Sequence, residues 1–435
     1  MSTEEFKTVL YLPAQAAAET EATIVSWKVA EGAVFAKGDI LAEAESAKAS
    51  FEFDAPCNGK VVKLLAAEGD EVPFEKPVIE IETSDESVKE VIRHVSEAEP
   101  AAEMAVAAPK HEDSSSSEQI TILGIGGYLP ERIVKTREML EDFPNVTAEY
   151  MVGVTGIEER RWAAEDEKPS SMAYKAAIEA IKKSDLKPAD IDAIVLATGT
   201  PDVAMPSTAC ILQDMLDVRG IPAFDLNAAC SGWLYGLTVA RGLLLSGVGT
   251  NILVVGVELQ SRLLDKTDRG TYFLFGDGAG AAVVSNSGRG HVLREQVLVA
   301  DSKGLNMARR HTAGYLVESE ADPWVRLDGH SLFRFATGSF STLIRQVIEK
   351  SGWTPNDVRW VVPHQANGRI LKAAASRCGV AFERFYLNIE RVGNTSSASI
   401  PLALLEIERG IQKGDKIVLC SVGAGITAAS VAIEW

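Results

Sequence analysis

The sequence predicts a layered α/β protein with duplicated halves, preceded by a small all-β domain, and three observations carry that expectation. At 435 residues the chain is too long for one ordinary hydrophobic core and should divide. Its charge is uneven, because residues 1–117 hold 24 acidic and 10 basic residues, a net −14 of the whole chain's −18. From Gln119 onward, strand-like and helix-like runs alternate, as in "IDAIVLATGT", "STACILQDML", "NILVVGVELQ" and "FSTLIRQVIEKS", the rhythm of helices covering sheet faces. The expected parts are a β domain over 1–82, a linker over 83–117 and an α/β domain over 118–435.

The first part contains an internal echo. "WKVAEGAVFAKGDILAEAE" from Trp27 returns as "KLLAAEGDEVPFEKPVIEIE" from Lys63, with matching Glu31-Gly32 and Glu68-Gly69 turns. Two such β-rich halves predict a pseudo-symmetric sandwich of short strands. Between them lies Glu45-Ser46-Ala47-Lys48-Ala49, where a tight turn would present Lys48 at a hairpin tip.

Residues 83–117 are rich in Ala, Glu, Ser and Pro and poor in large apolar side chains, so they read as a mobile linker. "SVKEVIRHV", including His94, reads as a transient helix there. About 35 flexible residues would span roughly 30 to 35 Å.

Composition narrows the function classes. With 46% hydrophobic and 24% charged residues the chain is neither disordered throughout nor fibrous. It lacks an uninterrupted apolar run of membrane-spanning length and a basic-then-apolar leader, which predicts a cytoplasmic protein without a membrane partner. The net charge of −18 argues against nucleic acid. Five scattered cysteines without a C-x-x-C pair support neither a disulfide framework nor a metal site.

Each cysteine is therefore read singly. Cys230, in "NAACSGW", sits where the strand-like "IPAFDL" gives way to the helix-periodic "WLYGLTVARGLLLSG". A helix start offers unpaired N–H groups and a positive dipole end, which favour thiolate, and the small neighbours Ala229, Ser231 and Gly232 leave room for a substrate. The competing reading, a small buried hydrophobe, is assigned to Cys210, Cys378 and Cys420. Far down the chain, "VVPHQANGRI" places His364 just past an apolar strand, and "RVGNTSSAS" places Asn394 before another helix-like run. Cys, His and Asn form a recurrent set for covalent catalysis, although cysteine proteases use the same three. Backbone N–H groups at Cys230 and in Gly423-Ala424-Gly425 are candidates for an oxyanion hole. The glycine strings "GIGGYL" and "FGDGAGAA" lack the phosphate-loop pattern and read as turns and close strand packing, with Asp277 structural.

Two resemblances sharpen this reading. The first 82 residues or so resemble the lipoyl domains of 2-oxoacid dehydrogenase complexes, on "ESAKA" and the following "APCNG". Biotin domains would flank the lysine with methionines, and here they are absent. The resemblance implies a lipoyl group on Lys48, although Ala47 replaces the family's usual Asp. Residues from about Gln119 to Trp435 resemble β-ketoacyl-acyl-carrier-protein synthase III of the thiolase superfamily, on "PSTAC", "AACSGW", "FGDGAGAA", "PHQAN" and "GNTSSAS".

The second resemblance implies a thiolase fold, a homodimer and a decarboxylative condensation. Cys230 would take an acyl group from a thioester, while His364 and Asn394 stabilise the enolate of a malonyl thioester, giving a β-ketoacyl thioester. Tyr150 and Val154 stand where family members use Trp and Arg to grip CoA, while Arg269 and Arg369 match other contacts to CoA or carrier phosphates. Met205 replaces a Phe that caps the acyl pocket across the dimer. Arg369, Lys372 and Arg377 offer one face to an acidic acyl carrier protein, or form an ordinary solvated helix face. With its CoA grip altered, the chain is expected to take its primer from lipoyl-Lys48, charged by a 2-oxoacid dehydrogenase complex. The alternatives are acyl transfer to an alcohol or amine, and a non-catalytic scaffold.

Overall fold

A computed structural model describes residues 6–13, 21–46, 50–74, 76–85, 88, 119–141, 143–310 and 323–435 of the chain. The chain divides into two compact units, Met1–Ala105 and Val106–Trp435.

The first unit contains β1 (Phe6–Tyr11), β2 (Glu21–Trp27), β3 (Val34–Phe35), β4 (Ile40–Glu45), β5 (Ser50–Asp54), β6 (Gly59–Leu64), β7 (Glu71–Pro73) and β8 (Pro77–Thr83). They form two four-stranded sheets, ordered β1-β8-β6-β3 and β5-β4-β2-β7. Alternate side chains, among them Leu10, Ile24, Leu41, Phe53, Val78 and Ile81, fill the space between the sheets. Each such side chain contributes about 1.5–3 kcal/mol by leaving water.

The echo in the sequence is a two-fold exchange in the structure. Gly32 N–H donates to Val61 O (2.9 Å) and Gly69 N–H to Ile24 O (2.8 Å). Leu64 N–H donates to Glu31 Oε1 (3.1 Å) and Trp27 N–H to Glu68 Oε1 (2.8 Å). Both glycines hold positive φ, +88° and +89°, which is why the turn repeats as Glu-Gly. Strands β4 and β5 pair with Glu45 opposite Ser50, so residues 46–49 connect a hairpin. Lys48 lies outside the described residues, as do His94 and nearly all of the expected linker. Thr83 completes β8, and Val88 is buried in this core.

The second unit opens with β9 (Thr121–Tyr128), β10 (Arg132–Lys135), α1 (Ala148–Thr155), β11 (Glu159–Trp162), α2 (Pro169–Lys183), β12 (Ala193–Ala197), α3 (Thr208–Met215) and β13 (Ala223–Leu226). It continues through α4 (Gly232–Leu245), β14 (Asn251–Glu258), α5 (Arg269–Tyr272), β15 (Gly278–Ser285), β16 (His291–Ala300), β17 (Ala308–Arg310) and β18 (Val325–Leu327). The remainder is α6 (Gly329–Lys350), β19 (Val358–Pro363), α7 (Gly368–Cys378), α8 (Ile389–Val392), α9 (Ser399–Ile407), β20 (Lys416–Val422) and β21 (Thr427–Glu434).

Nine strands form one sheet, ordered β13-β12-β14-β15-β9-β16-β21-β20-β19. The order shows the duplication. Strands β12-β14-β15-β9 run inward to the middle as β19-β20-β21-β16 do, with one parallel pair (β12 with β14, β19 with β20) and antiparallel partners after it. Helices α4 and α9 share one core with side chains from both halves, Ile122, Val195 and Val254 on one side and Val362, Leu419 and Val431 on the other. Helices α2 and α3 cover the far face of the first half, and α6 and α7 that of the second.

Small residues set the closeness of these layers. The stripe Met172, Ala173, Ala176, Ala177 and Ala180 brings α2 hard onto β9, where a Cβ on Gly126 would lie 2.3 Å from Ala176 O. "GIGGYL" is thus close strand packing, as expected. Asp277 is structural too: its carboxylate accepts Ala163 N–H, Ser261 N–H and the Ser261 hydroxyl at 2.8, 2.8 and 2.6 Å.

Candidate active site

Strand β13 ends at Leu226, and the chain turns back through a one-turn 3-10 helix, Ala229–Ser231, into α4. Cys230 lies in that turn. Ser421 Oγ donates to Cys230 O (2.9 Å), Ser231 Oγ to Thr427 O (2.9 Å) and Thr427 Oγ1 to Ala228 O (2.7 Å), so the facing ends of β20 and β21, with the loop that joins them, clamp it. Gly423 in that loop permits the approach, since a Cβ there would lie 2.8 Å from Cys230 N.

Backbone strain gathers here. Among the described residues five non-glycine residues hold positive φ, and two are Asp185 and Asp217, a residue type that tolerates it. The others are Ala229 (47°), Ser396 (49°) and Ile426 (51°), one on each of three loops around Cys230. Strain of this kind costs about 1–3 kcal/mol per residue and marks functional sites when the surroundings enforce it.

His364 follows β19 and is fastened to the same frame, its N–H donating to Cys420 O (2.7 Å), one residue before the serine that holds Cys230. The ring is buried, and burial pushes its pKa down to about 3, so it is neutral. Nδ1 lies 2.7 Å from Ser399 Oγ at the start of α9, and with the hydroxyl donating, Nε2 carries the proton. Asn394 is fixed by its backbone, donating to Leu274 O (2.9 Å) and accepting from Gly276 N (3.0 Å). Its Oδ1 accepts Ser396 N–H at 2.9 Å, which sets the amide so that Nδ2 is the outward donor. Among the described residues neither His364 Nε2 nor Asn394 Nδ2 has a partner.

Cys230 is joined to Asn394 through one residue, because Ser396 Oγ lies 3.6 Å from Cys230 Sγ while its N–H holds Asn394. The expectation of a resting thiolate is not met. Burial, with the Glu258 carboxylate adding to it, pushes the thiol up to about 11, against the pull of Ser396 and of the Cys230 and Ala424 N–H groups. A helix start alone does not outweigh desolvation beside a carboxyl group.

Sequence reasoning passed over Glu258, Ser396, Ser399 and Ser421. Three belong to motifs that are otherwise polar or small and carry no titratable signal. Glu258, the last residue of β14, is a fully buried acid ending the apolar run "NILVVGVE", and that is a signal it could have used. Burial raises its pKa, opposed by bonds from Gly199, Ser397, Thr200 and Ser396.

The other expected residues lie on the surrounding surface. Tyr150 is half-buried on α1, which abuts the start of α7: Arg369 donates to Gly153 O (2.7 Å) and Asn367 to Val154 O (3.2 Å). Tyr150 and Arg369 thus lie in one small region of the surface. Arg269 is exposed at the start of α5, and Lys372 and Arg377 are exposed on α7. Met205 is 86% exposed. Cys210 corrects its assignment as a buried hydrophobe: Thr208, Ala209 and Leu212 take the inward face of α3 and leave Cys210 exposed, lining a hollow with Gln213, Asp214 and Arg219. Cys378 and Cys420 are buried, as expected.

Comparison with known proteins decides the family. The description "3-Oxoacyl-(acyl-carrier-protein) synthase III" matches residues 224–302, and its C-terminal counterpart matches residues 348–435. The β-ketoacyl-acyl-carrier-protein synthase III of Deinococcus deserti is 39% identical over 330 residues, covering 74% of this chain and 93% of that one. The chain belongs to the synthase III family. A second synthase III relative, from Aquifex aeolicus, is 40% identical over 319 residues, 72% of this chain and 99% of its own. The crystal structure of the Aquifex aeolicus synthase III aligns with a TM-score of 0.68 at 37% identity, covering 73% of this chain and all of that one. A priming β-ketosynthase from the R1128 polyketide pathway aligns at 0.68 with 32% identity, covering 75% and 98%. The thiolase-type fold, the transferase class and acyl-cysteine condensation chemistry are those of the synthase III family. Residues 8–81 match a further description, "Biotin-requiring enzyme", so this synthase III carries a biotin/lipoyl-type domain ahead of it. Among the described residues no helix is long and apolar enough to cross a membrane.

Proposed function

We propose that Cys230 accepts an acyl group from a thioester and that the acyl-cysteine condenses with a malonyl thioester to give a β-ketoacyl thioester. The observation that carries this reading is the pair of unpartnered donors, His364 Nε2 and Asn394 Nδ2, on largely buried residues in segments tied to the Cys230 turn. Loss of carbon dioxide puts negative charge on the thioester oxygen. Two aimed donors in a water-poor site lower that barrier by about 3 kcal/mol each. His364 is suited because it is neutral and does not titrate in the working range. The N–H groups of Cys230 and Ala424, both aimed near the sulfur, suit the oxyanion of the acyl-transfer step.

Around this centre, Tyr150, Arg269 and Arg369 would hold the pantetheine-bearing substrate, Lys372 and Arg377 an acidic acyl carrier protein, and Met205 would border the acyl pocket of a homodimer partner. The division into domains at 1–82 and 118–435, joined by residues 83–117, makes the first domain a tethered carrier. The β4–β5 hairpin fits that use, since its register leaves Lys48 within a four-residue connection. A lipoyl group on Lys48 would supply a thiol able to hold an acyl thioester, loaded by a 2-oxoacid dehydrogenase complex. The free cysteines suit the reducing cytoplasm.

Intact-mass measurement tests the reading. Incubation with acyl-CoA thioesters should add one acyl group that is lost in Cys230→Ala, and malonyl thioester should discharge it as β-ketoacyl product. A protein that stays unacylated would refute it. The mass of the natively expressed protein distinguishes lipoyl from biotin on Lys48, and Lys48→Arg should abolish that adduct.

A further inference from the structure

Glu258 is a buried acid that the chemistry above does not use. It accepts hydrogen bonds at Oε1 from Gly199 N–H (3.1 Å) and Ser396 Oγ (3.2 Å) and at Oε2 from Thr200 Oγ1 (3.1 Å) and Gln260 Nε2 (3.0 Å), with Ser397 a further donor nearby. Thr200 Oγ1 itself accepts Leu259 N–H (2.9 Å), which directs its proton toward the carboxylate. That donor set fits the ionised form. Among the described residues no cation forms an ion pair with it.

One of these donors also touches the sulfur. Ser396 Oγ lies 3.2 Å from Glu258 Oε1 and 3.6 Å from Cys230 Sγ. In the resting geometry the Ser396 hydroxyl is placed to donate to either the sulfur or the carboxylate; with its one proton turned to Glu258, its lone pairs are left to accept the thiol proton. The local backbone is built to place it there. Ser396 holds a φ of 49°, and its loop lies directly on β14, where a Cβ on Gly256 would come within 2.6 Å of Ser397 O.

We propose that Ser396 and Glu258 form the route by which the Cys230 proton leaves during acylation, Ser396 as the group in contact with sulfur and Glu258 as the acceptor acting through it. This rests on the reading of Cys230 as the acyl acceptor. In the acylation step the Cys230 S–H bond breaks and the sulfur bonds to the donor's carbonyl carbon. The donor's C–S bond then breaks as its thiolate leaves and takes a proton from water. The cysteine proton passes to Ser396 Oγ, and the Ser396 hydroxyl proton passes to Glu258 Oε1. When the malonyl-derived enolate attacks the acyl-cysteine, Cys230 leaves as thiolate, and the proton returns from Glu258 through Ser396. Both groups end as they began.

The need for such a route follows from the thiol itself, which at a pKa of about 11 holds about one part in 10⁴ as thiolate at pH 7. The charged or titratable groups that bear on the route are few. His364 is neutral, and Arg310, at the end of β17, is lowered by its own burial and raised by the Glu258 carboxylate. Strand β17 packs against the Ala424–Ile426 turn, on the Cys230 side of the unit.

The test is single-turnover acylation of the full chain by acetyl- to octanoyl-CoA at millimolar concentration, read by intact mass between pH 6 and 9. A purely electrostatic role and a relay predict opposite signs. If Glu258 acts only as a nearby charge, Glu258→Gln lowers the thiol pKa and speeds acylation. If the relay operates, Glu258→Gln and Ser396→Ala each slow acylation about 10²-fold at pH 7. The deficit then shrinks as pH rises, because hydroxide forms the thiolate directly. Should Glu258→Gln fail to fold, Ser396→Ala decides alone, since it leaves the other donors on Glu258. Wild-type rates in Ser396→Ala, or faster acylation in Glu258→Gln, would overturn the relay while leaving Cys230 as nucleophile. A wild-type protein that gains no acyl group, or a Cys230→Ala variant that still gains one, would overturn both.

Discussion

Ser399 Oγ lies 2.7 Å from His364 Nδ1, so the first residue of α9 holds one nitrogen of a buried imidazole on a different element, and with the hydroxyl donating the proton stays on Nε2. Ser399→Ala leaves Nδ1 without its partner and frees the ring to place its proton on either nitrogen. Condensation should fall about tenfold, equivalent to about 1.4 kcal/mol. Single-turnover acylation of Cys230 should be unchanged, and comparing the two rates checks the assignment.

Asn394→Asp separates donor from scaffold. The new side chain can still accept Ser396 N–H, as Asn394 Oδ1 does at 2.9 Å, so the loop should hold. It loses the outward donor and adds a negative charge facing an enolate. Decarboxylation of a malonyl thioester should drop about 10²–10³-fold, with acyl-cysteine accumulating in the mass spectrum.

Gly423→Ala probes how closely the β20–β21 loop is fitted to the nucleophile. A Cβ placed 2.8 Å from Cys230 N must push the turn away. Acylation should slow at least tenfold, since small misplacements of a nucleophile cost large factors in rate. Melting temperature should change little by comparison.

Stability should fall on the acid side of neutrality. Burial lowers His364 to about 3 and His291 to about 4, whereas an unfolded histidine titrates near 6.5. Above that value both states are neutral and the term vanishes. Below it the unfolded chain binds more protons, so stability is lost as pH drops, by up to about 1.4 kcal/mol per pH unit for His364. Urea midpoints measured from pH 7.5 to 4.5 should show this slope, reduced in His364→Gln.

Asp277→Ala should act on folding alone. Removing the carboxylate orphans Ala163 N–H, Ser261 N–H and the Ser261 hydroxyl, at a cost of about 2 kcal/mol or more. A lowered melting temperature with acylation per folded molecule preserved is the expected result.

Much of this was legible in the chain before any coordinates. The repeated Glu-Gly turns foretold the two-sheet sandwich, because only glycine sits easily at φ near +90° and the pairing of the halves requires it twice. Alternating periods marked the α/β unit, and the motifs around Cys230, His364 and Asn394 pointed to the groups proposed to react. Local pattern misjudged Cys210, which lies off the inward stripe of a short helix.

Composition, periodicity and motif order therefore determined by themselves the two-part architecture and the chemical types gathered for the reaction, since these depend on neighbours within a turn or a strand. Tertiary structure alone decided their state: that Cys230 is a thiol near 11, that His364 is neutral, that Ser396 bridges sulfur to Glu258. Protonation is set by burial and by partners such as Ser399, 35 residues from His364, and Ser396, 166 residues from Cys230, and no local window contains them.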